Sequence, residues 1–246
     1  MVWQVSYYQT PHDNRAQPYT YPALSQVVKL TPFLSGSHLQ VLVNNFFGPS
    51  TLTFYQALIA TNPDFAGARP LTLNGQATIT IPRGKAVGLD PLPFPVTAGQ
   101  PLYFCLRADR AQTYADLAST YDPSLVNAAL SPRASASPRL SEKWRQRKSW
   151  FCLAGFRVFR EEQAPLVELG GDSLIETGMV AAAIGRFLLA NFFDQAALIN
   201  TAVSGSQLLR DAPAEPPLLA SFGPSILHRQ AQCPCRPAAQ LVSAGG

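Results

Sequence analysis

Short runs of alternating apolar and polar residues, separated by turn signals, fill the first half of the chain and limit it to a β-rich fold. They recur between about residues 27 and 108, most clearly at residues 39–46, 71–82 and 102–107. The chain has 22 prolines and 16 glycines, which favour many turns over long helices. Asn74-Gly75 between two such runs is a hairpin signal. This spacing predicts a β-sandwich or jelly roll.

The pattern breaks after residue 109. Residues 131–139 are rich in Pro and Ser and predict an exposed loop, and residues 150–159 return to strand character. We interpret this last run as the final strand of a first domain, with a boundary near residues 161–165. The prediction is a β-sandwich accessory domain over residues 1–162 and a second domain over residues 163–246.

The second segment has a different rhythm. Residues 166–169 form a short apolar run, residues 170–173 a tight turn, and residues 179–193 carry apolar side chains at helical spacing. Residues 197–200 are a second short apolar run. Strand, helix and strand in this order are typical of a βαβ unit in a parallel sheet.

Charge and hydropathy limit the partners. The net charge is only +4, and the densest basic stretch, residues 139–148, carries no nucleic-acid motif beyond Trp144. We interpret it as a solvated linker and expect no nucleic acid partner. The apolar stretch at residues 179–193 contains Arg186 and is too short to span a bilayer. With no secretory leader visible, we expect a soluble protein, cytoplasmic by default, with no membrane partner.

The four cysteines indicate no metal site. Cys105 and Cys152 lie in apolar runs and are predicted to be buried core residues. Cys233 and Cys235 form a C-x-C pair near His228, which lacks the four-ligand spacing of a zinc site. We therefore expect no metal and no cofactor.

The sequence Gly171-Asp172-Ser173-Leu174 follows the apolar run 166–169 and precedes the predicted helix. A serine there would be exposed at the C-terminal edge of a parallel sheet, where α/β folds place ligands. Backbone N–H groups at the start of a helix can stabilise a developing oxyanion. The same residues also fit an ordinary turn and helix cap, because Asp and Ser are common N-caps.

The wider context resembles the SGNH/GDSL family of serine esterases. Gly171-Asp172-Ser173-Leu174 matches the first block of that family, and Glu176 and Gly178 stand where the family has an acidic residue and a glycine. A second block, an Asn at a strand end followed by Ser-Gly, is matched by Asn200 and the Ser204-Gly205 pair. Residues 206–211, 222–225, 41–48 and 79–84 are similar to one bacterial branch with an N-terminal sandwich domain. The resemblance extends from about residue 25 to residue 229.

This resemblance implies a fold and a site. The expected fold class is mixed β and α/β, with a jelly-roll-like N-terminal β-sandwich followed by the first βαβ part of a flavodoxin-like SGNH hydrolase domain. Ser173 would be the catalytic nucleophile, and the N–H groups of Ser173 and Gly205 would form the oxyanion hole. Gly171, Asp172 and Asn200 would support the motif, with Asp172 bonding the turn. The implied substrate is a small-molecule or carbohydrate ester.

The sequence departs from the family pattern after Gly205. The family supplies a further oxyanion donor from G-x-N-D and its acid and base from D-x-x-H, and neither block occurs here. The only histidines are His12, His38 and His228, none at the family position. We therefore expect a truncated hydrolase domain and negligible esterase activity of this chain alone. One hypothesis is an early stop or a reading-frame shift near Arg229.

Two other functions remain open. The chain could be a carbohydrate-binding sandwich module with a vestigial hydrolase half, a pseudoenzyme, or a scaffold acting through protein contacts. The aromatic residues that would either stack on sugar rings or pack against the domain are Trp3, Tyr7, Tyr8, Tyr19 and Tyr21. Nothing in the sequence indicates an oligomeric state.

Overall fold

A computed structural model describes residues 1–134 and 145–206, with the backbone alone at residues 145–147. Predictions for the loop at 135–139, residues 207–211 and 222–225, His228, Cys233 and Cys235 fall outside this part. The first ten strands are β1 (Val2–Gln9), β2 (His12–Asp13), β3 (Tyr19–Tyr21), β4 (Leu24–Leu30), β5 (Gly36–Asn45), β6 (Leu52–Phe54), β7 (Gln56–Ala60), β8 (Arg69–Pro70), β9 (Ile79–Ile81) and β10 (Lys85–Gly88). The next ten are β11 (Leu92–Val96), β12 (Leu102–Ala108), β13 (Gln112–Tyr114), β14 (Asp116–Ser119), β15 (Val126–Ser131), β16 (Arg145–Arg147), β17 (Ser149–Phe151), β18 (Leu153–Arg160), β19 (Leu166–Leu169) and β20 (Ala197–Asn200). The two helices are α1 (Ser173–Glu176) and α2 (Met179–Asn191).

Two large sheets carry most of these strands. Sheet one has the order β10-β5-β18-β1-β20-β19, with β11 also paired to β5. Sheet two has the order β16-β15-β4-β12-β7-β8. Three smaller sheets are formed by β13 with β3, by β17, β14 and β2, and by β6 with β9.

The core lies between the two large sheets. On β5, Leu39, Val41 and Val43 alternate into the core, as the period of two in a strand requires. Phe104 from sheet two and Phe156 from sheet one meet with ring centroids 5.6 Å apart. The sheets therefore pack face to face through one continuous apolar layer.

Both cysteines of the described part are buried and free, which confirms their prediction as core residues. Burial raises the pKa of the Cys105 thiol to about 12 and raises that of Cys152 well above its ordinary value. Both side chains therefore remain neutral thiols at physiological pH.

The parallel strands β19 and β20 extend sheet one instead of forming a separate sheet. β19 and β20 run parallel, from Leu166 opposite Ala197 to Leu169 opposite Asn200. The other edge of β20 pairs in parallel with β1, where Tyr8 lies opposite Ile199. β1 in turn pairs antiparallel with β18.

The predicted fold class is therefore wrong. The elements expected over residues 166–200 are present, but they are not part of a flavodoxin-like α/β domain. Within residues 1–134 and 145–206 there are only two helices, of four and thirteen residues, and the fold is mainly β. The physical reason is that β1 occupies the edge of β20, so the parallel pair belongs to an existing antiparallel sheet. The division at residues 162 and 163 remains a prediction.

Helix α2 packs beside β20 and against Phe33 and Leu125. Its buried residues are Ala182, Gly185 and Leu188. A Cβ on Gly185 would lie 2.5 Å from Cδ1 of Leu125 and 2.9 Å from the Phe33 ring, so the helix requires a glycine to approach this closely. In the described ranges, neither helix has the length and apolar character to cross a membrane.

Candidate active site

Two turns meet at the C-terminal ends of β19 and β20. Because the strands are parallel, residues 170–173 and residues 201–206 leave the sheet at the same edge. The N–H of Thr201 donates to the carbonyl of Leu169 at 2.8 Å, and the N–H of Val203 donates to the carbonyl of Gly171 at 2.9 Å. The two turns that the sequence singled out are therefore directly hydrogen-bonded neighbours.

Asp172 and Gly171 build the first turn. Asp172 is the N-cap of α1, and its side chain accepts from the N–H of Leu174 at 3.0 Å. Gly171 has a φ of +157°, and a Cβ there would lie 2.5 Å from Cδ1 of Ile175. The positive φ favours a glycine here, and the Asp172 carboxylate is engaged in the turn itself.

Ser173 is exposed at the start of α1. Gly205 is also exposed, in the second turn, with a φ of +80° that favours glycine. Among the contacts of residues 1–134 and 145–206, neither the Ser173 N–H nor the Gly205 N–H donates to a protein acceptor. One exposed hydroxyl and two available amide donors thus belong to adjoining turns.

Asn200 ties β20 to both turns from inside the protein. Its Nδ2 donates to the carbonyl of Ile175 at 3.0 Å, and its Oδ1 accepts from the N–H of Ala202 at 3.1 Å. Its backbone carbonyl accepts from Thr10 at 2.9 Å. The buried Asn200 side chain therefore supports both α1 and the second turn.

A buried carboxylate, that of Glu176, lies beneath these turns. The family resemblance includes Glu176 but assigns it no role. One oxygen of Glu176, Oε2, accepts from the N–H of Ser204. The other, Oε1, lies 3.7 Å from Nδ1 of His12. No local signal places His12 here, because it arrives from the other end of the chain on β2, directly after β1.

Hydrogen bonds of the Gln9 side chain connect α1 to β1 and β14. Its buried Nε2 donates to the carbonyl of Ser119 at 2.8 Å and to that of Glu176 at 3.3 Å. Its Oε1 accepts from the Tyr7 hydroxyl at 3.0 Å. Burial raises the pKa of Tyr7 far above its ordinary value, so the hydroxyl stays protonated and donates.

His38, the other histidine of the described residues, does not join this site. His38 is on β5, with its ring edge against Phe159 at 5.9 Å and Nδ1 2.9 Å from the Ser37 hydroxyl. In the described chain, no histidine contacts Ser173. Those residues also contain no group of three or more His, Cys, Asp or Glu side chains that could hold a metal ion.

Most of the aromatic residues considered for sugar stacking pack against the protein. Trp3 lies 5.3 Å from Phe159, and Tyr7 is buried. Tyr19 and Tyr21 pack on Phe151, with centroids 5.4 and 6.0 Å away. Tyr8 is half-buried.

Tyr121, which the sequence did not single out, is different because it is 54% exposed. Its N–H donates to the carbonyl of Thr177 at 2.7 Å, and the Lys148 ammonium lies 4.5 Å from its ring centroid. An exposed aromatic ring therefore stands at the C-terminal end of α1.

Comparison with known proteins yields no family model and no curated protein that matches the chain. Among solved structures, weak likenesses are to carbohydrate esterases. One is described as a carbohydrate esterase whose active site displays divergent catalytic and non-catalytic binding functions. It has 12% identity and a TM-score of 0.25, covering 89% of this chain and 56% of that protein. Another is an active-site mutant of a family two carbohydrate esterase from Clostridium thermocellum in complex with cellohexaose, at 12% identity and a TM-score of 0.24, covering 86% and 56%. The chain thus spans little more than half the length of these proteins.

Proposed function

We propose that this chain carries the nucleophile and oxyanion site of a serine esterase of the SGNH/GDSL type, acting on a small-molecule or carbohydrate ester. Ser173 is the proposed nucleophile. The observation that carries this proposal is the exposed Ser173 hydroxyl on a turn whose own N–H, and the N–H of Gly205 on the adjoining turn, have no acceptor within the described protein.

The proposed chemistry is acyl transfer. The Ser173 Oγ attacks the ester carbonyl carbon, its proton passes to a base, and the carbonyl oxygen becomes an oxyanion. The N–H groups of Ser173 and Gly205 stabilise that charge, and each such donor contributes about 10²- to 10³-fold to turnover in serine hydrolases. The alcohol then leaves with a proton, and water hydrolyses the acyl-serine.

Among residues 1–134 and 145–206, no histidine lies beside the Ser173 hydroxyl to act as its base. A serine hydroxyl without an adjacent base stays protonated and is a weak nucleophile. His12 lies against Glu176, and His38 lies against Phe159. A serine hydrolase site that lacks one member of its triad retains roughly 10³- to 10⁴-fold catalysis over water through its oxyanion donors and substrate binding. We therefore expect this chain to acylate slowly and to respond to an added base.

Chemical rescue tests this proposal. The full chain is incubated with a fluorophosphonate at increasing concentrations of imidazole, and the adduct is located by peptide mass spectrometry. The adduct should form on Ser173 at a rate that rises with imidazole. Ser173→Ala should abolish it, and Ser50→Ala should leave it unchanged, because Ser50 is an exposed serine between β5 and β6 that belongs to neither of the two turns. Absence of an adduct at Ser173 at every imidazole concentration would refute the proposal.

Carbohydrate binding without hydrolysis is a second candidate, and Tyr121 favours it. An exposed ring at the C-terminal end of α1 could stack on a pyranose, with the Lys148 ammonium 4.5 Å from the ring centroid. Titration calorimetry with soluble oligosaccharides separates the two functions. For a binding module, Tyr121→Ala abolishes binding and Ser173→Ala does not. Lack of binding by the unmodified chain excludes this candidate.

A further inference from the structure

The Glu176 carboxylate is buried, which is unfavourable for an ionisable group unless other groups of the protein compensate for the lost water. The residue is 5% exposed, yet it carries an ionisable group that would lose hydration unless its oxygens found partners. One oxygen accepts from the N–H of Ser204 in the second turn. The other lies 3.7 Å from Nδ1 of His12, which is too long for a hydrogen bond, and this buried Nδ1 has no hydrogen-bond partner among the described residues. The backbone carbonyl of Glu176 is held as well, by the amide of Gln9.

The second turn has two possible orientations of its central peptide. The N–H of Ser206 donates to the carbonyl of Val203 at 3.1 Å, and Gly205 has a φ of +80°. A glycine with positive φ at the third position is the pattern of a type II turn. In a type I turn the peptide between Ser204 and Gly205 is turned over, so the Gly205 N–H points in a different direction.

Three hydrogen bonds fix the position of this second turn relative to the turn that carries Ser173. Val203 donates to Gly171, Ala202 donates to the Asn200 side chain, and Ser204 donates to Glu176. Of these, the bond from Ser204 is the one next to the peptide that presents the Gly205 N–H. Because it ends on a carboxylate, it is a charge-assisted bond whenever Glu176 is ionised, and such bonds are stronger than neutral ones.

We propose that Glu176 is a positioning residue that holds the Ser204 N–H and thereby directs the Gly205 N–H toward the oxyanion site, with His12 enclosing the other carboxylate oxygen. This inference rests on the function proposed above for Ser173 and Gly205. It assigns no proton transfer to His12, whose Nδ1 faces Glu176 at the opposite end of α1 from Ser173. The side chain length matters, because an aspartate is shorter by one methylene group and would fall short of Ser204.

The first test is amide hydrogen exchange measured by NMR on the uniformly labelled full chain. In Glu176→Asp, the Ser204 amide should exchange at least about tenfold faster, and the amide shifts of Ser204 and Gly205 should both move, because the loss of one hydrogen bond opens the turn. Glu176→Gln keeps an acceptor oxygen and should give a smaller change. The matched control Glu162→Gln, at an exposed glutamate, should change neither amide.

The second readout is the imidazole-dependent labelling rate at Ser173. It should fall about 10- to 100-fold in Glu176→Asp, with partial recovery in Glu176→Gln, while the melting temperature reports whether each variant is folded. Unchanged exchange at Ser204 in both variants would overturn the proposed contact. Changed exchange with an unchanged labelling rate would overturn the positioning role.

The two proposals fail separately. If the unmodified chain forms no adduct at Ser173, the esterase site is wrong, and the positioning role falls with it whatever the amides show. If Glu176→Asp does not fold, the Glu176→Gln variant alone carries the comparison. Equal exchange and labelling in that variant and in Glu162→Gln would then contradict the role of Glu176.

Discussion

Gly155 is the residue of β18 at which the backbone of β1 comes too close to leave room for a side chain. It lies in β18, opposite Tyr8 of β1 and Leu42 of β5, where the register of the pairing between β18 and β5 shifts. Its φ is +157°, and a Cβ there would lie 2.1 Å from the carbonyl oxygen of Tyr7 and 2.9 Å from the Cα of Tyr8. These are backbone atoms, so no side chain rotation can relieve the contact. We predict that Gly155→Ala is strongly destabilising.

The size of the effect follows from two separate contributions. Holding a non-glycine residue in a sparsely populated backbone region costs about 1–3 kcal/mol. Forcing an extra methyl group into a packed interior costs about 1–3 kcal/mol more. Together they lower the free energy of unfolding by about 2–6 kcal/mol. Gly84→Ala is the matched control, because Gly84 has a φ of +72° but nothing within 4 Å of the added Cβ. It should cost only about 1–2 kcal/mol.

Urea unfolding followed by circular dichroism measures both variants against the unmodified chain. In thermal unfolding, a loss of about 4 kcal/mol corresponds to a melting temperature lower by roughly 8–16 °C in a chain of this size. If Gly155→Ala lies within about 0.5 kcal/mol of Gly84→Ala, the close approach of β18 to β1 is wrong. The path by which β1 reaches β20 and the site would then be in doubt as well.

Two further predictions concern titrating groups. Hydrogen bonds from Ser124 and Arg186 lower the pKa of Asp122 from 3.8 to about 2, so they stabilise the folded state above about pH 4, and this contribution is lost as the pH falls through 2. Asp122→Asn should lower the urea midpoint at pH 6 but not at pH 2, and equal shifts at both pH values would contradict this assignment. Burial raises the pKa of the Cys105 and Cys152 thiols, so neither should react with iodoacetamide at pH 8 until urea unfolds the chain. Alkylation of either cysteine in the native protein would show that its side chain is accessible, against this prediction.

Local patterns were sufficient for these short elements and for the two turns that carry Ser173 and Gly205. The strand at 166–169, the helix from Met179 and the strand at 197–200 are present because their apolar periodicity is a property of the segment itself. The Gly171–Ser173 turn, Asn200 and Gly205 follow from short motifs, since a capping Asp and a left-handed glycine act within their own turns. Their catalytic roles remain predictions.

The tertiary structure alone decided which edges pair and what lies beneath the site. Alternating apolar residues determine which face of a strand is buried, but the backbone N–H and C=O groups that join Tyr8 to Ile199 are the same in every residue and specify no partner. That pairing turned the expected α/β domain into an extension of a β-sheet, and it brought His12 to Glu176 from the opposite end of the described chain. Periodicity within a segment is set by its own side chains, whereas the contact of two distant segments is set by the packing of the whole core.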